Sequence, residues 1–249
     1  MMTQRLALVT GGAGGIGTAI CRQLAADGRR IVSTCVDPEA ENIEAWVEAL
    51  RSDGIEADWV QCDVSDHDAC VRMAETVQER FGTVDILVNV AGITSDGFLH
   101  KMSADSWQKV IDINLSGVFN VTHQFVAGMR QQGFGRVVNI SSVNGQSGQF
   151  GQTNYSAAKA GMHGFTMALA KEGAPKGVTA NTVSPGYVKT SMTDAMPDKV
   201  REAIVSQIPA GDMGRPEDIA RAVSFLTADE ASYINGANLP VNGALFCSF

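Results

Sequence analysis

The sequence predicts an α/β chain built on a mostly parallel, doubly wound sheet of seven strands, and three observations carry that expectation. Seven short apolar, β-rich runs recur along the 249 residues. Amphipathic stretches of helical length separate them, the alternation that builds parallel sheets with helices on both faces. A glycine-rich turn, "TGGAGGIG", joins the first run to the first helical stretch.

The runs are "LALVT" 6–10, "RIVSTC" 30–35, "ADWVQCDV" 57–64, "VDILVNV" 84–90, "RVVNIS" 136–141, "VTANTVSP" 178–185 and "ANLPVN" 237–242. Helical periodicity is strong over about 16–26, 39–52, 66–81, 103–132, 154–172 and 216–228. The stretch 103–132 carries apolar positions at mixed three- and four-residue spacing, which suits one long helix buried on one side. No repeat, low-complexity tract or linker interrupts the pattern, so a single domain, 1–249, is expected. The segment 186–214, rich in Gly, Pro, Met and Asp, stands outside the alternation except for a short helix near 198–207. Following the sixth strand it falls over the carboxyl edge of the sheet, where a substrate lid would lie.

Composition narrows the function. Hydrophobic residues make up 45% of the chain, enough for a large core, and the net charge of −8 gives no field that favours nucleic acid. No apolar run reaches the roughly 18 residues of a membrane span, and the N-terminus lacks a signal-peptide pattern, so a cytoplasmic protein is expected. Five cysteines, 21, 35, 62, 70 and 247, form no metal-ligand spacing and read as buried free thiols. No metal site is expected.

Gly11, Gly14, Gly15 and Gly17, with Ile16 between the last two, follow the first strand and open the first helix. Glycine permits a tight turn and close approach of the backbone to a pyrophosphate, which the helix N-terminus then faces with its N–H groups. The turn therefore predicts a Rossmann-type dinucleotide site.

Tyr155 and Lys159 stand four residues apart in a helical stretch and so share one face. Ser142 lies at the end of the fifth strand, directly after the run 136–141, and Asn114 lies in the preceding helical stretch. A carbonyl that accepts a hydride needs hydrogen-bond donors at its oxygen and a group to deliver a proton, which suits Ser and Tyr. A free phenol titrates near 10, so a neighbouring ammonium, Lys159, is expected to lower the Tyr155 pKa.

With T-G-x-x-x-G-x-G after the first strand and Asn114, Ser142, Tyr155 and Lys159 in order, the chain resembles the short-chain dehydrogenase/reductase family over essentially its whole length. That resemblance implies roles for further positions. Asp63, beside Val64, holds the adenine, and "NVAG", Asn89 to Gly92 with Ala91 third, supports the cofactor; Val90 stands where a second Asn is usual. Ser142 orients the carbonyl, Tyr155 is the acid, Lys159 also bonds the nicotinamide ribose, and Asn114 holds a water that relays protons to Lys159. With thirteen positions between serine and tyrosine, the family pattern selects Ser142 over its neighbour Ser141. Pro185, Gly186 and Val188 close over the nicotinamide, and Thr190 contacts its carboxamide or the phosphates. After the second strand, Asp37, Glu39 and Glu41 offer carboxylates and no base, and Gly14 stands where NADP-using relatives often carry Arg or Lys. NADH is therefore expected over NADPH, although Asp37 lies two places beyond the usual selecting position, occupied here by Cys35.

"GQFGQTNYSAAKAG" is similar to the branch of the family that reduces acetoacetyl-CoA to (R)-3-hydroxybutyryl-CoA for polyhydroxybutyrate synthesis. In that branch Asp96, Gln149, Phe150, Gln152 and Tyr187 would shape the acyl pocket together with Ser142 and Tyr155. The alternative is a 3-oxoacyl-[acyl-carrier-protein] reductase, for which Arg130, Arg136 and Lys171 are candidate contacts with an acidic carrier. The family commonly forms homotetramers through its fourth and fifth helices and the C-terminal strand, and "LPVNGALFCSF" is an apolar tail suited to such burial.

Overall fold

In the computed structural model, which describes residues 4–40, 42–190, 193 and 196–247, every strand pairing is parallel. The sheet order is β3-β2-β1-β4-β5-β6-β7. The strands are β1 Leu6–Thr10, β2 Arg30–Cys35, β3 Ala57–Gln61, β4 Ile86–Asn89, β5 Gly135–Ile140, β6 Val178–Pro185 and β7 Asn238–Val241. The order reverses between β1 and β4, and in such sheets the crevice beyond the carboxyl ends of the strands at the reversal receives the ligand.

Side chains alternate across the sheet as its period of two requires. Leu6, Leu8, Leu87 and Val137 pack on one face with Met73, Val77, Phe125 and Met129. Ala7, Val9, Ile86, Val88 and Val138 pack on the other with Ile20, Leu24, Ile219 and Val223. Helices α3 (His67–Phe81), α5 (Gly117–Gln132) and α7 (Thr153–Gly173) thus cover the first face, and α1 (Gly15–Ala26) and α9 (Pro216–Thr227) the second. Fully burying one such large side chain contributes about 1.5–3 kcal/mol, so these contacts are the main force that holds the helices on the sheet.

Local chemistry sets the helix limits. Asp66 caps α3 by accepting from the Asp68 and Ala69 N–H groups, and Ser103 caps α4 (Ala104–Ile111) from Ser106. Helix α2 is Ile43–Ser52 and does not begin at 39 as the periodicity suggested, because Asp37 and Pro38 hold a separate turn ahead of it. The long helix 103–132 is also modified: Asp112–Ser116 forms a π-helical turn between α4 and α5. A π turn inserts a residue into the ladder, and here it lies at Asn114. Two short elements complete the site region: the turn α6 (Asn144–Ser147) and helix α8 (Asp198–Val205).

Candidate active site

The glycine turn opens the crevice. Gly11 has φ +66°, the left-handed region that glycine enters without strain, and its carbonyl accepts from the Gly14 N–H at 3.2 Å. A Cβ on Gly17 would stand 2.3 Å from the Gly11 oxygen, and one on Gly12 would stand 2.4 Å from Ser33 Oγ. Ser33 itself, buried on β2, accepts from the Gly12 N–H at 3.0 Å and pins the turn to the sheet. Thr190 packs its methyl against Gly15, where an added Cβ would lie 3.0 Å away, so the segment after β6 reaches the helix N-terminus. Thr10 Oγ1 accepts from the N–H groups of Val90 and Ala91, tying the loop after β4 to the end of β1.

The strand ends then fix the polar side chains. Beyond β5 the ladder to β6 continues through Ser141 N–H to Val183 O and Val143 N–H to Pro185 O, both 2.8 Å, so Ser142 is held between two sheet bonds. Ser142 Oγ accepts from the Asn144 N–H at 3.1 Å and is hydrogen-bonded to Tyr155. Ser141 donates instead to the Lys159 carbonyl at 2.9 Å and is buried, which makes it a tether between β5 and α7. Lys159 is 3% exposed; its Nζ donates to the Ile140 carbonyl at 2.8 Å and stands 5.6 Å from the centre of the Tyr155 ring.

Asn114, delivered by the π turn, donates through Nδ2 to the carbonyls of Ile93 and Val110, both at 2.9 Å. Its Oδ1 is buried and accepts no hydrogen bond among the described residues. A Cβ built on Gly92 would lie 2.5 Å from that oxygen and 3.5 Å from Lys159 Nζ, so the two groups converge on the space glycine leaves there. Asn114, Ser142, Tyr155 and Lys159 are therefore brought together at the carboxyl edge.

Burial governs the charges. It pushes the Lys159 ammonium down to about 8, and it raises the Tyr155 phenol, with the hydrogen bond from Ser142 opposing the rise and the Asp96 carboxylate adding to it. This corrects the expectation that Lys159 lowers the Tyr155 pKa: desolvation is the largest influence on the phenol, Lys159 is not among those that move it, and the phenol stays protonated. A protonated phenol is the form that can deliver a proton.

Other expected positions divide. Asp63 is half-buried and accepts from the Ser65 N–H and hydroxyl, which holds its side chain at the end of β3, with buried Val64 next to it. Asn89 is corrected: its side chain turns into the interior, donating to Thr122 and to Asn139, which continues to Thr166 and Thr182. It braces β4 against β5 and is 3% exposed, so Gly92 and the 90–91 backbone, not the Asn89 side chain, face the crevice. Asp37 is exposed and accepts from the Glu39 and Ala40 N–H groups; Glu41 lies outside the described residues.

Gln152 is also corrected as a free donor for substrate, because its Nε2 already donates to both Asp96 oxygens and its Oε1 accepts from Asn144 Nδ2. Gln149 and Phe150 are exposed; the Phe150 ring meets Phe98 edge-to-face at 4.9 Å. Tyr187 is half-buried, its phenol raised by burial and by Asp96. Gly186 fits closely against Asn242, 2.9 Å from an added Cβ, and Pro185 and Val188 are buried. The Tyr187–Lys189 segment pairs with Gly214 through two backbone bonds, closing the ends of the 186–214 segment; residues 191, 192, 194 and 195 within it lie outside the described residues.

Two side chains escaped the sequence reading. Asn154, fully buried, donates to the Ser95 carbonyl and accepts from the Tyr155 N–H, anchoring the start of α7 to the loop after β4. Asn144 is the other. Neither belongs to a charged or glycine-rich signature, and only the folded loops reveal their partners.

Residues 5–201 match the short chain dehydrogenase family. The chain belongs to that family. Acetoacetyl-CoA reductases of Allochromatium vinosum and Cupriavidus necator are 57% and 51% identical to this dehydrogenase, over 97% and 98% of its length and 98% and 99% of theirs. A 3-oxoacyl-[acyl-carrier-protein] reductase of Pseudomonas aeruginosa is 41% identical over 98% of each chain. The crystal structure of gox2181 superposes with a TM-score of 0.93 at 36% identity, over 97% of this chain and 95% of that one. The fold of this dehydrogenase implies a nicotinamide dinucleotide, NADH or NADPH, and the cradle meets that requirement: at Gly12 and Gly17 an added Cβ would collide, and the turn lies beside the N-terminus of α1.

Of the basic candidates for a carrier-protein contact, Arg136 is corrected. It is 2% exposed, spends its guanidinium on the carbonyls of Gly135, Gly177, Ala228 and Asp229, and cannot meet a docked protein. Arg130 donates to the Glu172 carbonyl, and Lys171 is exposed. Cys21, Cys35, Cys62 and Cys70 are buried as expected, while Cys247 is exposed. No described group of His, Cys, Asp or Glu could hold a metal, and no described helix is long and apolar enough to cross a membrane.

Proposed function

We propose that this dehydrogenase reduces acetoacetyl-CoA to (R)-3-hydroxybutyryl-CoA, the precursor of polyhydroxybutyrate, with NADH preferred. The observation that carries the reading is the convergence of Ser142, Tyr155, Lys159 and Asn114 beside the glycine turn, in a chain 57% identical to an acetoacetyl-CoA reductase over nearly its whole length.

When bound, the reduced nicotinamide supplies the hydride for the carbonyl carbon. Gly11, Gly14, Gly15, Ile16 and Gly17 would hold the pyrophosphate, Asp63 and Val64 the adenine, and Pro185, Gly186, Val188 and Thr190 the nicotinamide end, with Ala91 and Gly92 supporting the cofactor between them. Ser142 donates to the carbonyl oxygen, and Tyr155 delivers its proton to that oxygen as charge develops there. Lys159 bonds the ribose and stabilises the phenolate that remains, and the unpaired oxygen of Asn114 holds a water that returns a proton by way of Lys159. Burial keeps the phenol protonated, the form in which it acts as the acid.

Phe150, Gln149, Tyr187 and Asp96 border the entrance and define the acyl pocket, with the 186–214 segment as its lid. Asp37, and the absence of Lys or Arg from the turn and from residues 34–40, support NADH. Homotetramer formation is part of the same reading. It is supported by exposed Phe119 on α5, Met167 on α7 and Phe225 on α9. A cytoplasmic location is part of the same reading.

The test is initial-rate reduction of acetoacetyl-CoA and of acetoacetyl-carrier protein at matched concentrations, each with NADH and with NADPH. A higher kcat/KM on the CoA thioester with NADH is expected. Good turnover of the carrier-protein thioester alone would move the enzyme to fatty-acid synthesis.

A further inference from the structure

We propose that Asn144 is a positioning residue, the centre of a hydrogen-bonded relay that ties the catalytic Ser142 to Asp96 on the facing loop. A serine hydroxyl has one O–H and two lone pairs. The Asn144 N–H, 3.1 Å away, occupies one lone pair of Ser142 Oγ, which turns the O–H away from α6 and leaves it for Tyr155 and the carbonyl oxygen.

What holds Asn144 is its own side chain. Asn144 Nδ2 donates to Gln152 Oε1 at 2.9 Å, and Gln152 Nε2 donates to the two Asp96 oxygens at 3.0 and 2.9 Å. The polarity of this chain is fixed at one end. An ionised carboxylate only accepts, so the Gln152 amide must present nitrogen to Asp96 and oxygen to Asn144, and Asn144 must donate. The relay joins the turn after β5 and the entry to α7 to the loop after β4, 56 residues before Gln152 at Asp96. A backbone bond from Gly97 N–H to Gly151 O, 2.8 Å, runs beside it and keeps the outer two segments in register. Gly145 closes the inner end, since a Cβ there would stand 2.8 Å from the Lys159 backbone carbon. Displacement of the 96–97 loop therefore reaches Ser142 through the Gln152 and Asn144 side chains and then the Asn144 N–H, and hydrogen bonds arranged in series strengthen one another.

The inference rests on the carbonyl-reductase reading of the same site, and it predicts a polarity swap. Gln152→Glu sets a carboxylate against Asp96 and should lower kcat about tenfold or more, the scale of one lost hydrogen bond at a reacting group. Adding Asp96→Asn restores a donor facing an acceptor, so the double variant should recover most of that loss. Asn144→Ala should lower kcat by a similar factor with the Kd for reduced cofactor unchanged.

Hydrogen exchange of the Asn144 amide, followed by NMR in the same proteins, supplies a readout independent of turnover. It should accelerate in Gln152→Glu and slow again in the double variant. Additive losses in the double variant, or exchange unmoved by Gln152→Glu, would overturn the relay. A parent enzyme inactive on acetoacetyl-CoA would defeat the substrate reading alone, because the exchange pattern would still decide the relay. If Asn144→Ala does not fold, the polarity swap carries the decision.

Discussion

Replacing Lys159 with methionine should stabilise the protein while removing its activity. The ammonium is almost wholly buried and titrates near 8 instead of 10.5, a depression worth about 3 kcal/mol of unfavourable burial below pH 8. Methionine fills similar volume without charge, but it gives up the hydrogen bond to the Ile140 carbonyl, which costs about 2 kcal/mol. The balance is a gain of about 1 kcal/mol at pH 7, or a Tm higher by roughly 2–4 °C for a chain of this size. The pH dependence has a definite sign. Between about 8 and 10.5 the unfolded chain holds the lysine proton that the folded chain has released, so the parent's stability rises with pH through that window. From pH 7 to pH 9 the penalty on the parent shrinks by about 1 kcal/mol, and the advantage of the variant should disappear. Urea denaturation of both proteins at pH 7, 8 and 9, followed by circular dichroism, measures this directly. A variant less stable than the parent at pH 7, or a difference independent of pH, would refute the claim that a charged lysine is held in the interior at a cost.

Three further outcomes follow from the same geometry. For free enzyme, reduction kcat/KM should fall above pH about 8 as Lys159 loses its proton, and a profile flat to pH 10 would contradict that assignment. Gly17→Ala puts a methyl 2.3 Å from the Gly11 carbonyl oxygen and should cost roughly 1–3 kcal/mol, with loss of cofactor binding seen by fluorescence titration. Asp37→Ala should lower the NADH-to-NADPH ratio of kcat/KM, and an unchanged ratio would confine Asp37 to the turn that it caps.

Much of this molecule is legible in its sequence because strands buried on both faces are short runs of apolar and β-forming residues without charge inside them. "LALVT", "RIVSTC" and "VTANTVSP" coincide with β1, β2 and β6 to the residue. The glycine turn and the Ser-Tyr-Lys spacing are equally legible, because each depends on residues close along the chain. What escapes the sequence depends on side chains meeting across loops. The π turn at Asn114 leaves no mark on a pattern that already mixed three- and four-residue spacing. Asn89 sits in a signature associated with the crevice, yet its amide is spent inside the polar layer shared with Asn139 and Thr166. Gln152 looks like a spare donor until Asp96 and Asn144 are seen on either side of it. Arg136 looks like surface charge, but four backbone carbonyls and the Phe134 ring, 4.3 Å away, enclose it.

The most direct measurement is the rate of acetoacetyl-CoA reduction by the parent and by Tyr155→Phe in one assay, read from nicotinamide absorbance, with cofactor Kd determined on both proteins. The account predicts an active parent and a variant slower by about a thousandfold or more, the scale of losing the proton donor together with its hydrogen bond at the oxyanion, with Kd nearly unchanged. A variant that retains turnover would contradict Tyr155 as the acid, and an inactive parent would contradict acetoacetyl-CoA as the substrate.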